Sequence, residues 1–194
     1  MNLKEKIIYE AIRLFSLKGF LSTSINDILE AGATSKGGFY NHFKSKEDLF
    51  FAVLSESRKI WREKTLYGLD QIKSPIEKVI KLLENYRDRY LKDTNDFPGG
   101  CIFVTLSVEL DDQRPHLAHE LNEGYIRLKN MINRLLDQAQ EGGELRAEVD
   151  TQALTEMIFS GMLGTSVIYG MDKSLTILDR AFISLIEHLR SLRG

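Results

Sequence analysis

Apolar residues recur at intervals of three and four positions along nearly the whole chain, which is the spacing of one face of an α-helix. Residues 4–18 show this pattern first, with an inward face made of Ile8, Ala11, Ile12 and Phe15. Beyond Leu49 the pattern stays helical, and the three prolines all fall at positions where a helix can begin or end. The chain is therefore predicted to be all-α.

Residues 23–42 carry the signals of two short helices joined by a tight turn. Thr23 and Ser24 stand where a hydroxyl can cap the first helix. The apolar face of that helix is Ile25, Ile28 and Leu29. Gly32 is expected to end the helix by adopting the positive φ that a tight turn requires, and Thr34 and Ser35 can cap the next helix.

The second short helix, residues 35–42, is too polar and too short to form by its own propensity. Two consecutive glycines, Gly37 and Gly38, weaken it by roughly 1 kcal/mol each relative to alanine. Phe39 and Phe43 lie one turn apart and can anchor one face in a core. Packing, rather than propensity, is expected to hold this helix.

The opposite face of this helix is rich in hydrogen-bond donors. It consists of Ser35, Lys36, Gly37, Tyr40, Asn41 and His42. Lys44 and Lys46 flank it, and no acidic residue occurs between Ala31 and Lys46. A helix N-terminus with hydroxyl, ammonium and imidazole groups suits a phosphate backbone, and the bare glycines allow the helix to approach base edges in the major groove.

This stretch resembles the N-terminal domain of the tetracycline-repressor (TetR) family of bacterial transcriptional regulators. The resemblance is carried by Ala11, Phe15, Gly19, Phe20, Thr23, Ile28, Ala31, Gly32, Ser35, Lys36, Gly37, Tyr40, His42, Phe43, Lys46, Asp48 and Leu49. It implies a three-helix DNA-binding head and a helical body that binds a ligand and dimerises. The implied function is a cytoplasmic repressor that binds a palindromic operator as a homodimer and is released by a small molecule.

The resemblance also implies roles for individual residues. Phosphate contacts are implied for Thr23, Tyr40, His42 and Lys46, and positions nearest the bases for Ser35, Lys36 and Gly37. The full predicted DNA-facing set is Thr23, Ser24, Thr34, Ser35, Lys36, Gly37, Gly38, Tyr40, Asn41, His42 and Lys46. Gly38 and Asn41 depart from the family's usual residues, which bears on the operator sequence rather than on the mode of docking.

The rest of the chain is predicted to form the body, with the head at residues 1–48 and the body at 49–194. Ser45 and Asp48 resemble a capping box at the start of a long helix. Further helices are expected at residues 46–67, 75–91, 101–110, 115–140, 150–169 and 174–192, with a loop at 95–100, giving about nine helices in all.

The last two helices carry more apolar surface than one side of a small bundle can bury. We predict that they form a homodimer interface. The predicted interface residues are Leu154, Ile158, Gly161, Met162, Thr165, Leu178, Phe182, Leu185, Ile186 and Leu189. The alternative, that these residues belong to the core of a single chain, remains open.

A body of this family usually encloses a small-molecule effector, and aromatic residues suggest where. The candidates are Trp61, Tyr86, Tyr90, Phe97, Cys101, Phe103, Tyr125, Met131, Phe159 and Met162. Such a lining favours an unidentified apolar or aromatic effector, although helical spacing makes most of these residues core by default.

Cys101 is the one residue where chemistry could replace binding. The segment resembles a sub-group of these regulators with Gly-Cys at the start of the sixth helix, some of which sense electrophiles through a thiol. A thiol near a helix N-terminus can have a lowered pKa. A buried, inert cysteine beside Ile102, Phe103 and Val104 is the competing interpretation.

Other classes of function find little support. The net charge of −2 excludes a generally basic nucleic-acid coat protein, so any attraction to DNA must be local. The glycines at 32–37 lack the Lys-Ser/Thr of a phosphate-binding loop, and no nucleophile elbow, cofactor motif or metal-ligand motif occurs, so an enzyme is not expected. No membrane segment is expected either. A helical adaptor that binds only protein is the remaining alternative.

Overall fold

The computed structural model describes residues 1–194 and contains nine α-helices and no sheet. The helices are α1 Leu3–Lys18, α2 Ile25–Ala31, α3 Lys36–Tyr40, α4 Lys46–Thr65, α5 Pro75–Asn85, α6 Ile102–Leu110, α7 Pro115–Glu141, α8 Thr151–Asp172 and α9 Leu175–Ser191. A short 3-10 turn, Leu69–Gln71, precedes α5, and a π-helical turn, Tyr86–Leu91, continues it. The all-α prediction is confirmed.

Side-chain caps start the helices of the head as the sequence indicates. Ser24, Ser35 and Ser45 each accept a hydrogen bond from the backbone N–H three residues further on. Complete capping boxes lie at α1, between Asn2 and Glu5, and at α2, where Asp27 also accepts from the Ser24 N–H. At α4 the Asp48 carboxylate accepts from Lys44 N instead, so the reciprocal box predicted there is wrong.

The turn between α2 and α3 differs from the prediction in which residue adopts the left-handed conformation. Gly32 has φ of −76°, whereas Ala33 has φ of 47°. A Cβ on Gly32 would lie 3.0 Å from the carbonyl oxygen of Ile28 and within contact distance of Ile7 on α1. The tightest contact at Gly32 is therefore with a carbonyl of its own helix, and Ala33 makes the turn.

The buried apolar residues form one continuous cluster that extends from the head through the body. In the head, the rings of Phe15, Phe20 and Phe50 meet edge to face, with centroids 5.4 and 5.3 Å apart. Phe39 and Phe43 are buried, as predicted, and hold the short helix α3 against this core.

The predicted dimer stripe on α8 and α9 lies mostly inside the chain, so that prediction is wrong in its choice of face. At most 7% of each side chain is exposed for Leu154, Ile158, Met162, Thr165, Leu178, Phe182, Ile186 and Leu189. Gly161 and Leu185 pack on one another, since a Cβ on Gly161 would lie 2.9 Å from a Leu185 methyl. The alternative of an intrachain core is confirmed for these residues.

The outer face of the same two helices remains apolar. Its exposed residues include Met157, Val167, Ile168, Met171, Ile177 and Ile183. Because α8 is apolar on nearly all sides, its sequence periodicity does not distinguish the face buried in the chain from the face left outside. No helix of the structure is both long enough and apolar enough to cross a membrane.

Candidate nucleic-acid interface and effector cavity

Helix α3 presents its polar face on the surface of the head. Ser35, Lys36, Tyr40, Asn41 and His42 are exposed, and Tyr40 retains 53% of its accessible surface. Lys36 makes no hydrogen bond or salt bridge within the protein, so its ammonium group is free for a ligand. The helix N-terminus, capped only by Ser35, lies on the same exposed surface.

The two glycines of α3 have different surroundings. A Cβ on Gly37 would meet only the Ser35 hydroxyl, at 3.7 Å, so this position is open to an approaching ligand. A Cβ on Gly38 would lie 2.4 Å from Thr34 Oγ1 and 3.4 Å from a methyl of Leu3. A side chain at Gly38 would therefore force Thr34 to move, which the sequence pattern does not reveal.

Two predicted phosphate ligands are engaged inside the protein. Thr23 is fully buried and its hydroxyl donates to the Gly19 carbonyl at 2.6 Å, so its predicted side-chain contact with DNA is wrong. Lys46 Nζ donates to the carbonyls of Phe20 and Thr23 at 2.7 and 2.8 Å and lies 4.3 Å from the Phe20 ring centre. Burial lowers the pKa of Lys46. At most one of its three donors remains for a phosphate.

Ser24 is exposed, and Thr34 is half-buried. The Ser24 hydroxyl lies within hydrogen-bond distance of the Asp27 carboxylate, which in turn lies 2.9 Å from Lys18 Nζ. The hydrogen bond from Lys18, supported by those from Ser24, lowers the pKa of Asp27 to about 2. The Asp27 carboxylate beside Ser24 is therefore paired with a cation of the protein itself.

The body contains a second candidate site, a cavity of about 260 Å³ that is partly open to solvent. Its apolar and aromatic lining includes the predicted residues Trp61, Tyr86, Cys101, Phe103, Tyr125, Met131, Phe159 and Met162. Tyr90 and Phe97 do not line it: Tyr90 stacks behind Tyr86 at 5.2 Å and contacts Phe97 at 5.2 Å on its other side. For these two residues the predicted place at the ligand site is wrong, because they form the layer behind the wall.

Hydroxyl groups in and behind the cavity wall are directed by neighbouring acceptors. The Ser166 hydroxyl donates to Met162 O, so Tyr86 is the donor in its 2.8 Å hydrogen bond to Ser166. Tyr90 donates to the Cys101 sulfur at 3.5 Å. Burial raises the pKa of Tyr86 and of Tyr90 well above the ordinary value, so both phenols stay neutral.

Three arginines that were not predicted from the sequence also line the cavity: Arg58, Arg62 and Arg127. On α4, Arg58 lies three residues before Trp61 and four residues before Arg62, and this spacing is the signal that places Arg58 on the same face as both. Arg58 donates to the Glu120 carbonyl on α7. Its guanidinium also lies beside Gly124, where a Cβ would be 3.7 Å from Nε.

Two family models match this chain and together cover most of its length. Residues 7–53 match the model of bacterial regulatory proteins of the tetR family, and residues 75–185 match the model of the tetracyclin repressor-like C-terminal domain. The chain belongs to the TetR family of transcriptional regulators. The helix-turn-helix of this TetR-family protein is thus α2 and α3, and the cavity lies in its C-terminal domain.

Relatives agree with this assignment. An uncharacterized helix-turn-helix transcriptional regulator of Lactococcus lactis is 38% identical over 119 residues, or 60% of this chain and 61% of that protein. The transcriptional repressor DhaR of Mycobacterium sp. is 22% identical over 96% of this chain and 91% of its own length. A TetR transcriptional regulator of Chloroflexus aurantiacus has a crystal structure with a TM-score of 0.90 and 28% identity, covering 98% of this chain and 96% of that one.

In this TetR-family chain the DNA-binding head meets the cavity-bearing body at two places besides α4. The backbone of Gly99 packs directly on that of Ser16 in α1, and Arg13 of α1 donates to Asn95 O at 2.7 Å. On α6, the carboxylate of Glu109 binds the turn that follows α1. Both contacts belong to segments that flank Cys101, a residue of the cavity wall.

Proposed function

We propose that this TetR-family regulator is a repressor that binds operator DNA as a homodimer and releases it when a small molecule enters the cavity. The observation that carries the proposal is the exposed donor face of α3 on a chain that also contains a cavity against α4, the helix leading to that face. DhaR, a relative over most of this chain's length, is itself named a repressor. A protein that acts on bacterial operators works in the cytoplasm.

The proposed docking places the N-terminus of α3 in the major groove. Ser35, Lys36 and Gly37 then lie nearest the bases, because they form the exposed first turn of the helix. Tyr40 and His42 lie at its exposed C-terminal end, where phosphates of the groove wall would be contacted. Ser24, at the start of α2, is exposed, but its hydroxyl donates to the Asp27 carboxylate and so offers a phosphate no free donor.

The proposed dimer uses the outer apolar face of α8 and α9. Met157, Ile168 and Met171 follow one another at helical spacing along α8 and are 40%, 48% and 82% exposed. Gly164 lies on the same face with no atom within 4 Å of where its Cβ would stand, so another helix can approach closely there. A two-fold axis through this face would present two α3 helices to a palindromic operator.

The proposed effector shifts the equilibrium between two positions of the head on the body. Helix α4 contributes Arg58, Trp61 and Arg62 to the cavity, and its first turn is bonded to the head through Lys46. In this proposal, the two units that move relative to one another are the head, residues 1–48, and the body, residues 49–194. A ligand that prefers the arrangement unable to bind DNA lowers operator affinity by that difference in binding free energy.

Selection of DNA fragments from a genomic library by the purified protein tests the proposal. We expect a palindromic sequence with half-sites about one helical turn apart or at multiples of this spacing, and sequence-selective binding that persists in competitor DNA. Lys36→Gln in the exposed first turn is expected to weaken binding, whereas Lys59→Gln on the exposed side of α4 is the matched control. Absence of selective binding at low salt would favour the adaptor or another class of protein.

Sensing of electrophiles through Cys101 is a second candidate, since its sulfur belongs to the cavity wall. The side chain is only 5% exposed, so a reagent would have to enter the cavity to reach it. Cys101→Ser separates the candidates: loss of operator release by a thiol reagent, with release by a non-reactive ligand retained, supports a sensor. An equal response of both proteins to the thiol reagent excludes it.

A further inference from the structure

The charge of the cavity lining is one-sided. Its sixteen residues include three arginines, Arg58, Arg62 and Arg127, and no aspartate or glutamate. The remaining lining is largely aromatic and aliphatic, and its polar groups beyond the arginines are the Trp61 indole N–H, the Tyr86 and Tyr125 hydroxyls and the Cys101 thiol. A neutral apolar ligand would contact the walls but leave Arg58 and Arg62 without an ionic partner.

The protein supplies little counter-charge to these arginines. Arg58 and Arg62 form no salt bridge within 4.0 Å, and the hydrogen bond of Arg58 is to the backbone carbonyl of Glu120 rather than to its carboxylate. Arg127 is paired only with Glu123, at 3.6 Å, one turn away on the exposed side of α7. Arg58, Arg62 and Arg127 therefore all retain N–H donors that can bind an anion.

Arg58 is the most constrained of the three. Its side chain is half-buried between α4 and α7, where it lies against Gly124 and donates to Glu120 O. Burial, reinforced by the charge of Arg127, lowers the pKa of Arg58 below the ordinary value, but a guanidinium remains charged at neutral pH. A partly desolvated cation without an ionic partner binds an anion more strongly than a solvated one.

We propose that the effector is a small amphipathic carboxylate whose apolar or aromatic body lies among Tyr86, Phe103 and Phe159 and whose carboxylate is bound by Arg58 and Arg62. This inference rests on the proposed effector function of the cavity and names the chemical class of the ligand. A guanidinium fork matches a carboxylate with two parallel hydrogen bonds. The volume of about 260 Å³ lies just below the roughly 300 Å³ at which drug-sized pockets begin, so the molecule is small.

The placement of the charge has a mechanical consequence. Arg58 and Arg62 belong to α4, whereas most of the apolar walls belong to α6, α7 and α8. A ligand held at both ends therefore connects α4 to the rest of the body. Because the first turn of α4 is bonded to the head, the carboxylate acts on the helix that positions α3.

A matched set of probes tests the inference: phenylbutyrate, phenylbutanol and phenylbutylamine, which share one apolar body and differ in charge. Trp61 is the single tryptophan of the chain and lines the cavity, so its fluorescence reports binding directly. We expect phenylbutyrate to bind the full-length protein about tenfold or more tightly than the alcohol, and the amine to bind most weakly.

Variants identify the groups that bind the carboxylate. Arg58→Gln and Arg62→Gln are each expected to lower the affinity for phenylbutyrate about tenfold and to leave that for phenylbutanol nearly unchanged. If the Arg58 variant misfolds, Arg62→Gln still tests the inference, because the side chain of Arg62 makes no hydrogen bond within the protein. Arg134→Gln, an exposed arginine of α7 outside this cavity, is the control.

The outcomes separate the two proposals. Equal or tighter binding of the alcohol or the amine overturns the carboxylate inference and leaves the cavity as an effector site. Acid preference that survives in both arginine variants also overturns it. If none of the three probes changes Trp61 fluorescence or thermal stability, the effector function of the cavity itself is contradicted, and the inference falls with it.

Discussion

Glu109 binds the backbone of Phe20 across a separation of 89 residues, with its carboxylate accepting the Phe20 N–H at 2.6 Å. Its other oxygen accepts the N–H of Leu21 at 2.8 Å. The carbonyl of the same Phe20 accepts from Lys46 of α4 at 2.7 Å. The turn between α1 and α2 is therefore bound by α6 through the Phe20 N–H and by α4 through the Phe20 carbonyl. Movements of either helix reach the DNA-binding head at this turn.

Replacing Glu109 with glutamine is expected to weaken this junction. The amide retains one acceptor oxygen, but its NH₂ group faces the second backbone N–H, so one donor is left unsatisfied at a cost of about 1–3 kcal/mol. Urea unfolding measures the loss. Glu187→Gln removes a carboxylate from an exposed pair with Arg190 and is expected to change stability by less than about 0.5 kcal/mol.

The same Glu109→Gln protein tests whether the contact between α6 and the turn after α1 transmits effector binding to the DNA-binding head. We expect its operator affinity to respond less to phenylbutyrate than that of the unmodified protein, because α6 no longer holds the turn. Gel-shift titrations with and without the probe give the ratio of affinities. An unchanged ratio in a destabilised variant would show that the junction stabilises the head without transmitting the response.

The two glycines of α3 are predicted to respond oppositely to alanine. Gly37→Ala meets open space and removes a flexible residue from a helix, so it is expected to preserve or raise stability by up to about 1 kcal/mol while changing the preference among operator sequences. Gly38→Ala drives a methyl against Thr34 and is expected to cost about 1–3 kcal/mol.

A double substitution checks the reason for that cost. Thr34→Ala removes the Oγ1 atom that a Gly38 methyl would meet, so the pair Gly38→Ala and Thr34→Ala should cost less than the sum of the two single changes. Simple additivity of the two costs in thermal or urea unfolding would contradict the steric explanation.

Replacing Lys36 and replacing Lys46 are expected to have different effects on the stability of the protein. Lys36→Ala should leave stability unchanged and, because Lys36 is proposed to lie nearest the bases, weaken binding to the operator more than binding to unrelated DNA sequences. Lys46→Ala should destabilise the head by about 1–3 kcal/mol, because two backbone carbonyls lose their donor. Equal stability of the two variants would show that the bonds of Lys46 contribute little.

The oligomeric state of two variants tests whether the outer face of α8 and α9 forms the proposed dimer interface. Ile168→Glu places a charge in the proposed interface and is expected to yield a folded monomer with much weaker operator binding. Val108→Glu changes a more exposed apolar residue, on α6, and should leave the dimer intact. Analytical ultracentrifugation distinguishes the two states. A dimer that persists in the Ile168 variant but dissociates in the Val108 variant would place the interface on another face.

The lowered pKa of Asp27 predicts that the stability of the folded protein depends on pH. Its pKa is about 2 in the folded protein and 3.8 in the absence of its partners, so the ionised form stabilises the head above pH 3.8 and this stabilisation is lost as the pH falls toward 2. The thermal stability of the unmodified protein relative to Asp27→Asn should therefore shrink as the pH falls from about 5 to about 2. Asp70→Asn, which removes an exposed carboxylate without a partner, should show no such convergence.

The amino-acid sequence by itself determined the features that depend on neighbours within one or two turns. The serine caps of α2, α3 and α4, the anchoring of α3 by Phe39 and Phe43, and the outward donor face follow from spacing alone. The family resemblance and the helical pattern of the body have the same local origin, which is why the helix bounds agree closely with the structure.

Only the tertiary structure decided which faces are turned inward. It buries Thr23, engages Lys46 with two carbonyls, places the apolar stripe of α8 inside the chain, and brings Arg58 and Arg127 to one cavity from different helices. Helical periodicity states which residues share a face but not what that face meets. Contacts such as that between Glu109 and Phe20 depend on how whole helices pack, and packing is set by the combined shape of residues far apart in the chain.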